Sequence, residues 1–164
     1  MINKTYPITE KLLDKGLELS LKLYDLLTRE QGVLKKRLPA EELARIANDK
    51  KDTIIRLEQF SKQLIQVLAT ENLSLHQQDM AKYFQTALNA GFTIDKAANQ
   101  WQQITSVGKK CQALNEQNGA AIHLLTRHNH RLMEILRGQP QTATTYGPDG
   151  ATRGARLSQP LVSV

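Results

Sequence analysis

The feature that most constrains the fold is an apolar repeat that runs without a slip from residue 97 to residue 136. Its steps alternate between four and three residues, which is the a/d spacing of a long helix packed as in a coiled coil. The repeat is formed by Ala97, Trp101, Ile104, Gly108, Cys111, Asn115, Asn118, Ile122, Leu125, Asn129, Leu132 and Leu136. It predicts one helix that spans roughly 60 Å, since each residue adds about 1.5 Å.

Three positions of the repeat, Asn115, Asn118 and Asn129, carry an asparagine instead of an apolar residue. An asparagine at such a position weakens the core and specifies register or partner. We therefore expect this packing surface to have a second role and to open more easily at the asparagines.

The end of the same helix is apolar on more than one side, because Leu124, Met133 and Ile135 lie outside the repeat. Two explanations fit this surplus. The side chains pack on the second leucine row of the first helix, or they form a groove for an amphipathic helix of a partner protein. Met133 suits the second explanation because methionine adapts to irregular surfaces.

The rest of the sequence predicts three more helices. Pro7 and Thr9 are expected to open the first helix and Pro39 to mark its end. Two apolar rows run along this first helix. The first row, its seam, is formed by Leu13, Leu17, Ser20, Tyr24, Leu27, Gln31, Leu34 and Leu38, and the second row by Leu12, Leu19, Leu26 and Val33. A face this wide predicts contacts with two neighbouring helices.

A second helix follows after a short connection and is therefore expected to run antiparallel to the first. Its predicted seam is Leu43, Ala47, Lys50, Ile54, Leu57, Ser61, Leu64 and Leu68. We expect the stem of Lys50 to pack and its ammonium group to reach water. A short third helix is predicted from about 75 to 89, and Asp95 is expected to cap the long last helix.

The predicted fold is all-α, an elongated antiparallel helical bundle of three long helices plus one short helix with coiled-coil-like packing. This bundle domain covers residues 1–138. Residues 139–164 are polar and rich in glycine and proline, which predicts a flexible, disordered C-terminal tail. Tyr146 is a lone aromatic residue in that tail, a pattern typical of a docking motif.

Charge and composition narrow the class of protein. The 164 residues carry a net charge of +6, but the basic residues are spread along the chain. The only dense basic cluster, Lys35, Lys36 and Arg37, suits the C-terminal end of a helix. No apolar stretch long enough to cross a bilayer and no signal peptide is evident, so a cytosolic protein is expected. The single cysteine, Cys111, is predicted to be a buried thiol.

No pattern in the sequence predicts catalysis. His123 and His130 lie about 10 Å apart along a helix and cannot share one zinc ion. A phosphate-binding glycine loop, paired catalytic carboxylates and a Ser/His/Asp arrangement are all missing from the sequence. We therefore expect a binding protein without enzymatic activity, metal or cofactor. A histidine phosphotransfer domain that uses His128 or His130 is a further alternative.

Two ordered motifs resemble one known family. An Asn-x-x-Asn-Gly motif occupies 115–119, and about 27 residues later Tyr-Gly-Pro-Asp-Gly occupies 146–150. With the leucine-rich first helix they make the chain, over roughly residues 10 to 150, similar to the FlgN flagellar export chaperones. The other residues that carry the resemblance are Leu26, Leu27, Glu30, Lys51, Leu57, Ile122, Leu132 and Leu136.

The resemblance implies a cytosolic helical chaperone of the flagellar type III export system, which uses no ATP. Members bind the hook–filament junction proteins FlgK and FlgL, shield their helical segments and deliver them to the membrane export gate. Joined to the residue pattern, this predicts a cargo surface at Asn115, Asn118, Ile122, Leu125, Asn129, Leu132, Met133 and Leu136. Tyr146 is then expected to dock the loaded complex at the gate, and the exposed seam favours some self-association into a homodimer.

The alternative function is a basic helical module that binds nucleic acid or another anionic surface. Its residues would be Lys35, Lys36, Arg37, Lys109, Lys110, Arg127 and Arg131. Its affinity would fall steeply with salt, whereas the affinity of an apolar groove would not. Under the chaperone hypothesis, nucleic acid is not an expected partner.

Overall fold

The chain forms four helices in the residues that the structure, a computed structural model, describes: 1–36, 39–137, 144–146 and 152–154. The elements in order are α1 Ile2–Lys36, α2 Ala40–Thr70, α3 Gln77–Asn89, α4 Asp95–Leu136, β1 Thr144–Tyr146 and β2 Thr152–Gly154. The predicted all-α class, with three long helices and one short helix, is therefore confirmed. Coiled-coil packing stays a prediction.

Helix α1 begins earlier than predicted, at Ile2, and Pro7 lies inside it. Thr9 is a buried core residue rather than a cap, and its hydroxyl lies 2.8 Å from the Tyr83 hydroxyl. Tertiary contacts hold the extra turns in place. The Thr5 hydroxyl donates to Glu71 Oε1 at 2.8 Å, and the Tyr6 hydroxyl donates to the Thr93 carbonyl at 2.8 Å. These bonds offset the loss of one helical hydrogen bond at proline.

Contacts along α1 and α2 establish that the two helices are antiparallel, as predicted. Thr5 contacts Glu71 at one end, Gly16 faces the ring of Phe60 in the middle, and Glu30 pairs with Lys50 near the other end. Both apolar rows of α1 are used. The residues Leu13, Leu19, Leu26, Leu27, Val33 and Leu34 are all buried.

Helix α4 runs parallel to α1 over its first half. Lys96 pairs with Asp14 at 2.8 Å, and the Cys111 thiol lies 3.9 Å from the Ser20 carbonyl. Ala97 of α4 is buried in a core built around α3, in which the rings of Tyr83 and Phe84 pack edge to face. The core residues are Tyr6, Leu13, Phe60, Leu64, Leu68, Met80, Tyr83, Phe84, Ala87 and Ala97.

The predicted seam of α2 is wrong at two of its positions, Ala47 and Ile54. Ile46, Thr53 and Phe60 are buried, whereas Ala47 and Ile54 are exposed. The buried row is thus displaced by one residue, or about 100° around the helix. Adjacent apolar residues made both rows plausible from the pattern, and the fit of the Phe60 ring over Gly16 selects the second row. Leu64 and Leu68 are buried, as predicted.

Two compact units divide the chain, one from Met1 to Ala121 and one from Ile122 to Val164. The boundary lies within α4, and the predicted division between residues 138 and 139 stays a prediction. In the second unit, β1 and β2 pair antiparallel with Thr144 opposite Gly154 and Tyr146 opposite Thr152. This segment was predicted to belong to a disordered tail without regular structure. The rest of the tail lies outside the described residues.

Candidate functional site

The second half of the α4 repeat presents large apolar side chains to solvent. Ile122 is 38% exposed, Leu132 57% and Leu136 80%. Leu125 is half-buried, and Met133 and Asn129 are exposed. We call these six residues, Ile122, Leu125, Asn129, Leu132, Met133 and Leu136, the distal α4 surface. All of them were predicted site residues, and all belong to the second unit.

The apolar surplus outside the repeat is also exposed. Leu124 and Ile135 each leave more than half of their surface in water. The second row of α1 is buried within the first unit or, at Leu12, half-buried. Exposure of the surplus is compatible with an apolar surface open to a partner, since single exposed apolar residues are ordinary but contiguous patches of them often mark interaction sites.

The predicted site residue Asn118 lies elsewhere, inside the first unit, where it is 2% exposed. Its amide nitrogen donates to the Leu27 carbonyl at 2.9 Å and to Glu30 Oε2 at 2.9 Å. Both donors of this amide are satisfied. The expectation that asparagine loosens the packing is therefore wrong at Asn118, because the amide joins α4 to α1 through two buried hydrogen bonds.

Lys50 completes a buried polar network with Glu30. Its ammonium group lies 2.9 Å from both carboxylate oxygens of Glu30, and the two side chains are 17% and 3% exposed. The same ammonium donates to Asn115 Oδ1 at 3.3 Å. The ammonium group was expected to reach water; in the structure it pairs with the Glu30 carboxylate, and the Lys50 side chain keeps 17% of its surface exposed.

The network of Glu30, Lys50 and Asn118 connects α1, α2 and α4 at one level. A buried ion pair contributes little net stability, but loss of one partner leaves a charge stranded in the core. Such a network therefore fixes the register of three helices. The pairing was not predicted from the sequence, although its signal was present: Glu30 lies between the two apolar rows of α1, and Lys50 lies on the predicted seam of α2.

A cavity of about 370 Å³ adjoins this network between α1, α2 and α4. Its walls are mostly apolar and are formed by Ser20, Leu23, Leu27, Lys50, Ile54, Leu57, Ile104, Gly108, Cys111, Gln112 and Asn115. Cys111 is buried, as predicted, and burial raises the pKa of its thiol. The thiol is therefore protonated and unreactive at neutral pH.

The described residues of the alternative functions lie on exposed helix surfaces. Lys35 and Lys36 lie in the last turn of α1, where cations complement the helix dipole. His128 and His130 are exposed, and His130 Nδ1 lies 3.3 Å from Glu134 Oε1. Among the described residues, no three side chains form a group that could hold a metal ion. Arg37 and the side chain of Tyr146 lie outside the described residues.

A family model settles what kind of protein these helices form. The model for the FlgN protein matches residues 2–154. The chain belongs to the FlgN family. The match includes both segments that carried the resemblance, at 115–119 and 146–150, and it extends to the start of α1. Neither the curated proteins nor the solved structures yielded a match.

Membership places the chain in a family of flagellar export chaperones, as the resemblance implied. Membership in this family implies binding of flagellar hook-associated proteins. Within the described part of the chain, no helix has both the length and the apolar character needed to cross a membrane.

Proposed function

We propose that this FlgN-family protein is a cytoplasmic chaperone that binds hook–filament junction proteins of the FlgK and FlgL type through the distal α4 surface. The observation that carries the proposal is the exposure of large apolar side chains along α4 beyond Ile122. An amphipathic cargo helix laid along them buries apolar area from both partners. The affinity then reaches the micromolar range or better, which corresponds to about −8 kcal/mol.

In this proposal the two units have different roles. The first unit has its own core and a satisfied polar network, and it serves as the folded scaffold. The second unit supplies the apolar contact surface, so cargo binds without unfolding the scaffold. Asn115 and Asn118 were also predicted cargo residues, but their bonds to Lys50, Leu27 and Glu30 favour a structural role.

A pair of leucine substitutions tests the surface. Leu132→Asp places a charge among the cargo contacts and should weaken binding of a purified FlgK- or FlgL-type protein at least tenfold. Leu88→Asp is the matched control, because Leu88 is 48% exposed but lies on α3 in the first unit. Isothermal titration calorimetry measures both affinities in 0.3 M salt. Equal affinities for the two variants would place cargo elsewhere.

Delivery to the export gate is the second part of the proposal, and Tyr146 is its anchor. A tyrosine in the polar tail offers a large rigid contact at low entropic cost. Tyr146→Ala should leave the affinity for cargo unchanged and reduce secretion of the cargo into the medium. Normal secretion by this variant would remove Tyr146 from the delivery step.

A further inference from the structure

The last turns of α4 separate apolar from polar side chains around the helix. At about 100° per residue, the apolar residues of 122–136 occupy one continuous arc of about 180°. They are Ile122, Leu124, Leu125, Leu132, Met133, Ile135 and Leu136, and the other side chains in that arc are His128 and Asn129. Leu124 and Ile135, near one edge of the arc, are 55% and 53% exposed. The helix therefore presents a broad apolar half to solvent.

The opposite half of this segment is polar and mainly basic. In order around the helix, its residues are Thr126, Arg137, His130, His123, Glu134, Arg127 and Arg131. Arg137 follows the end of α4, and its amide donates to the Met133 carbonyl at 3.0 Å, so the last turn includes it. All three arginines are exposed. Three cations thus share this half with a single carboxylate.

Neither water nor cargo requires such an excess of one charge. The solvent-facing side of α1 mixes both signs, with ion pairs between Lys15 and Glu18 and between Arg29 and Asp25. A mixed surface of that kind is sufficient for contact with water. A cargo helix, under the proposed function, needs only the apolar half of α4. The basic half therefore calls for a partner that carries negative charge.

An anionic lipid surface matches both halves at once. Helices that lie in the plane of a bilayer surface bury an apolar face at the acyl-chain boundary and keep arginine and lysine on the other face. Arg131 lies beside the Leu124 edge of the apolar half, and Arg137 lies beside the Met133 edge. Their stems can follow the apolar surface while the guanidinium groups reach the lipid phosphates.

We propose that residues 122–137 bind the surface of an anionic phospholipid bilayer, with the helix axis along that surface. The apolar half inserts at the acyl-chain boundary, and Arg127, Arg131 and Arg137 contact the phosphate groups. A nucleic acid would use the basic half alone and leave the apolar half in water, so the bilayer is the better match. Lipid and cargo share apolar side chains and therefore exclude each other. That exclusion rests on the proposed function, whereas lipid binding does not.

Sedimentation of the full chain with phospholipid vesicles tests the binding. Vesicles of equal parts phosphatidylcholine and phosphatidylglycerol should bind the chain roughly tenfold or more tightly than phosphatidylcholine alone, since each arginine near an anionic surface contributes on the order of fivefold. Salt at about 0.5 M should weaken the binding because it screens the charges. No binding to the anionic vesicles, or equal binding to both kinds, would overturn the proposal.

Charge variants locate the binding surface. The double variant Arg127→Gln with Arg131→Gln should bind anionic vesicles roughly tenfold or more weakly. The matched control is Lys109→Gln with Lys110→Gln, which removes the same charge from exposed positions of α4 within the first unit. The control should bind as the unmodified chain does. Equal losses in the two double variants would mean that the vesicles respond to net charge alone, against the proposed surface.

Tryptophan fluorescence tests insertion of the apolar half. In a Trp101→Phe background, which removes the only tryptophan, Ile135→Trp should shift its emission to shorter wavelength on anionic vesicles as the ring leaves water. His123→Trp, at the centre of the polar half, is the matched control and should keep its emission. An equal shift at both positions, or none at Ile135→Trp, would contradict insertion of the apolar half.

Addition of a purified FlgK-type protein to the vesicle-bound chain tests the exclusion. Cargo should release the chain from the vesicles, and a vesicle-bound complex of chain and cargo would overturn the exclusion. Vesicle binding by a chain without cargo affinity would overturn the proposed function but not lipid binding. Cargo affinity without vesicle binding would overturn the lipid proposal alone.

Discussion

At the residue scale, the role of a polar side chain in this protein depends on what lies opposite it. Asn118 and Asn129 belong to the same apolar repeat of α4. Asn118 is buried and hydrogen-bonded to Leu27 and Glu30, whereas Asn129 is exposed. Glu30 makes the difference, because its carboxylate accepts from both the Asn118 amide and the Lys50 ammonium.

Removal of Lys50 from the network should lower the stability of the folded protein. Lys50→Met leaves the Glu30 carboxylate buried without its cation, which we expect to lower the free energy of unfolding by about 3 kcal/mol. The matched control is Lys51→Met, at an exposed position next in the chain, which should change it by less than about 0.5 kcal/mol. Urea denaturation followed by circular dichroism measures both values.

The double variant Glu30→Met with Lys50→Met tests the reason for that loss. It removes both charges together, so the protein should recover most of the stability that Lys50→Met alone loses. If the double variant is as unstable as the single variant, the loss comes from packing of the Lys50 stem and not from a stranded carboxylate.

At the element scale, the packing of α1 on α2 depends on one glycine. A Cβ atom at Gly16 would lie 2.5 Å from Cζ of Phe60, well inside contact distance. The absence of a side chain therefore lets the two helices approach at this level. Gly32 is a useful contrast, since a Cβ atom there would have nothing within 4 Å.

Alanine at these two glycines should have opposite effects. Gly32→Ala should raise the free energy of unfolding by about 0.5–1 kcal/mol, because alanine favours the helix and meets no neighbour. Gly16→Ala should lower it by about 1–3 kcal/mol, because overpacking against Phe60 outweighs that gain. Thermal denaturation compares them, and stabilisation by both substitutions would show that Phe60 yields freely.

The same helices show which parts of the fold could be predicted from the sequence alone. Periodicity predicted the number and type of the helices and most of both buried rows of α1, because a repeat needs no knowledge of the neighbour; Tyr24 of the predicted seam is exposed. Periodicity gave wrong predictions where contacts with another segment determine which residues are helical or buried. Pro7 lies within α1 because Tyr6 and Thr5 are anchored from other segments, and the α2 row shifted because Phe60 fits over Gly16.

The candidate site was predictable to the same degree. The surplus of apolar residues at the end of α4 left two explanations open, packing on α1 or a groove for a partner, so the sequence named the residues but not their exposure. The inward role of Asn118 did not, since it requires that Glu30 and Lys50 reach the same level from two other helices. That coincidence depends on the relative register of helices, which single-helix periodicity does not contain.

At the scale of the whole molecule, the proposed function divides the chain into a folded scaffold and a contact surface for cargo. Residues up to Ala121 form a unit with its own aromatic core and polar network. The unit that begins at Ile122 carries the exposed apolar positions of α4. Under the proposed function, cargo can bind to and leave the second unit while the first unit stays folded.

Hydrogen–deuterium exchange of the full chain, alone and with a purified FlgK- or FlgL-type protein, tests this account most directly. Cargo should slow amide exchange in peptides that cover residues 122–136, because a bound helix resists local opening. Exchange in residues 1–121 should change little. Slower exchange confined to residues 1–121, with residues 122–136 unaffected, would contradict the assignment of cargo to the distal α4 surface.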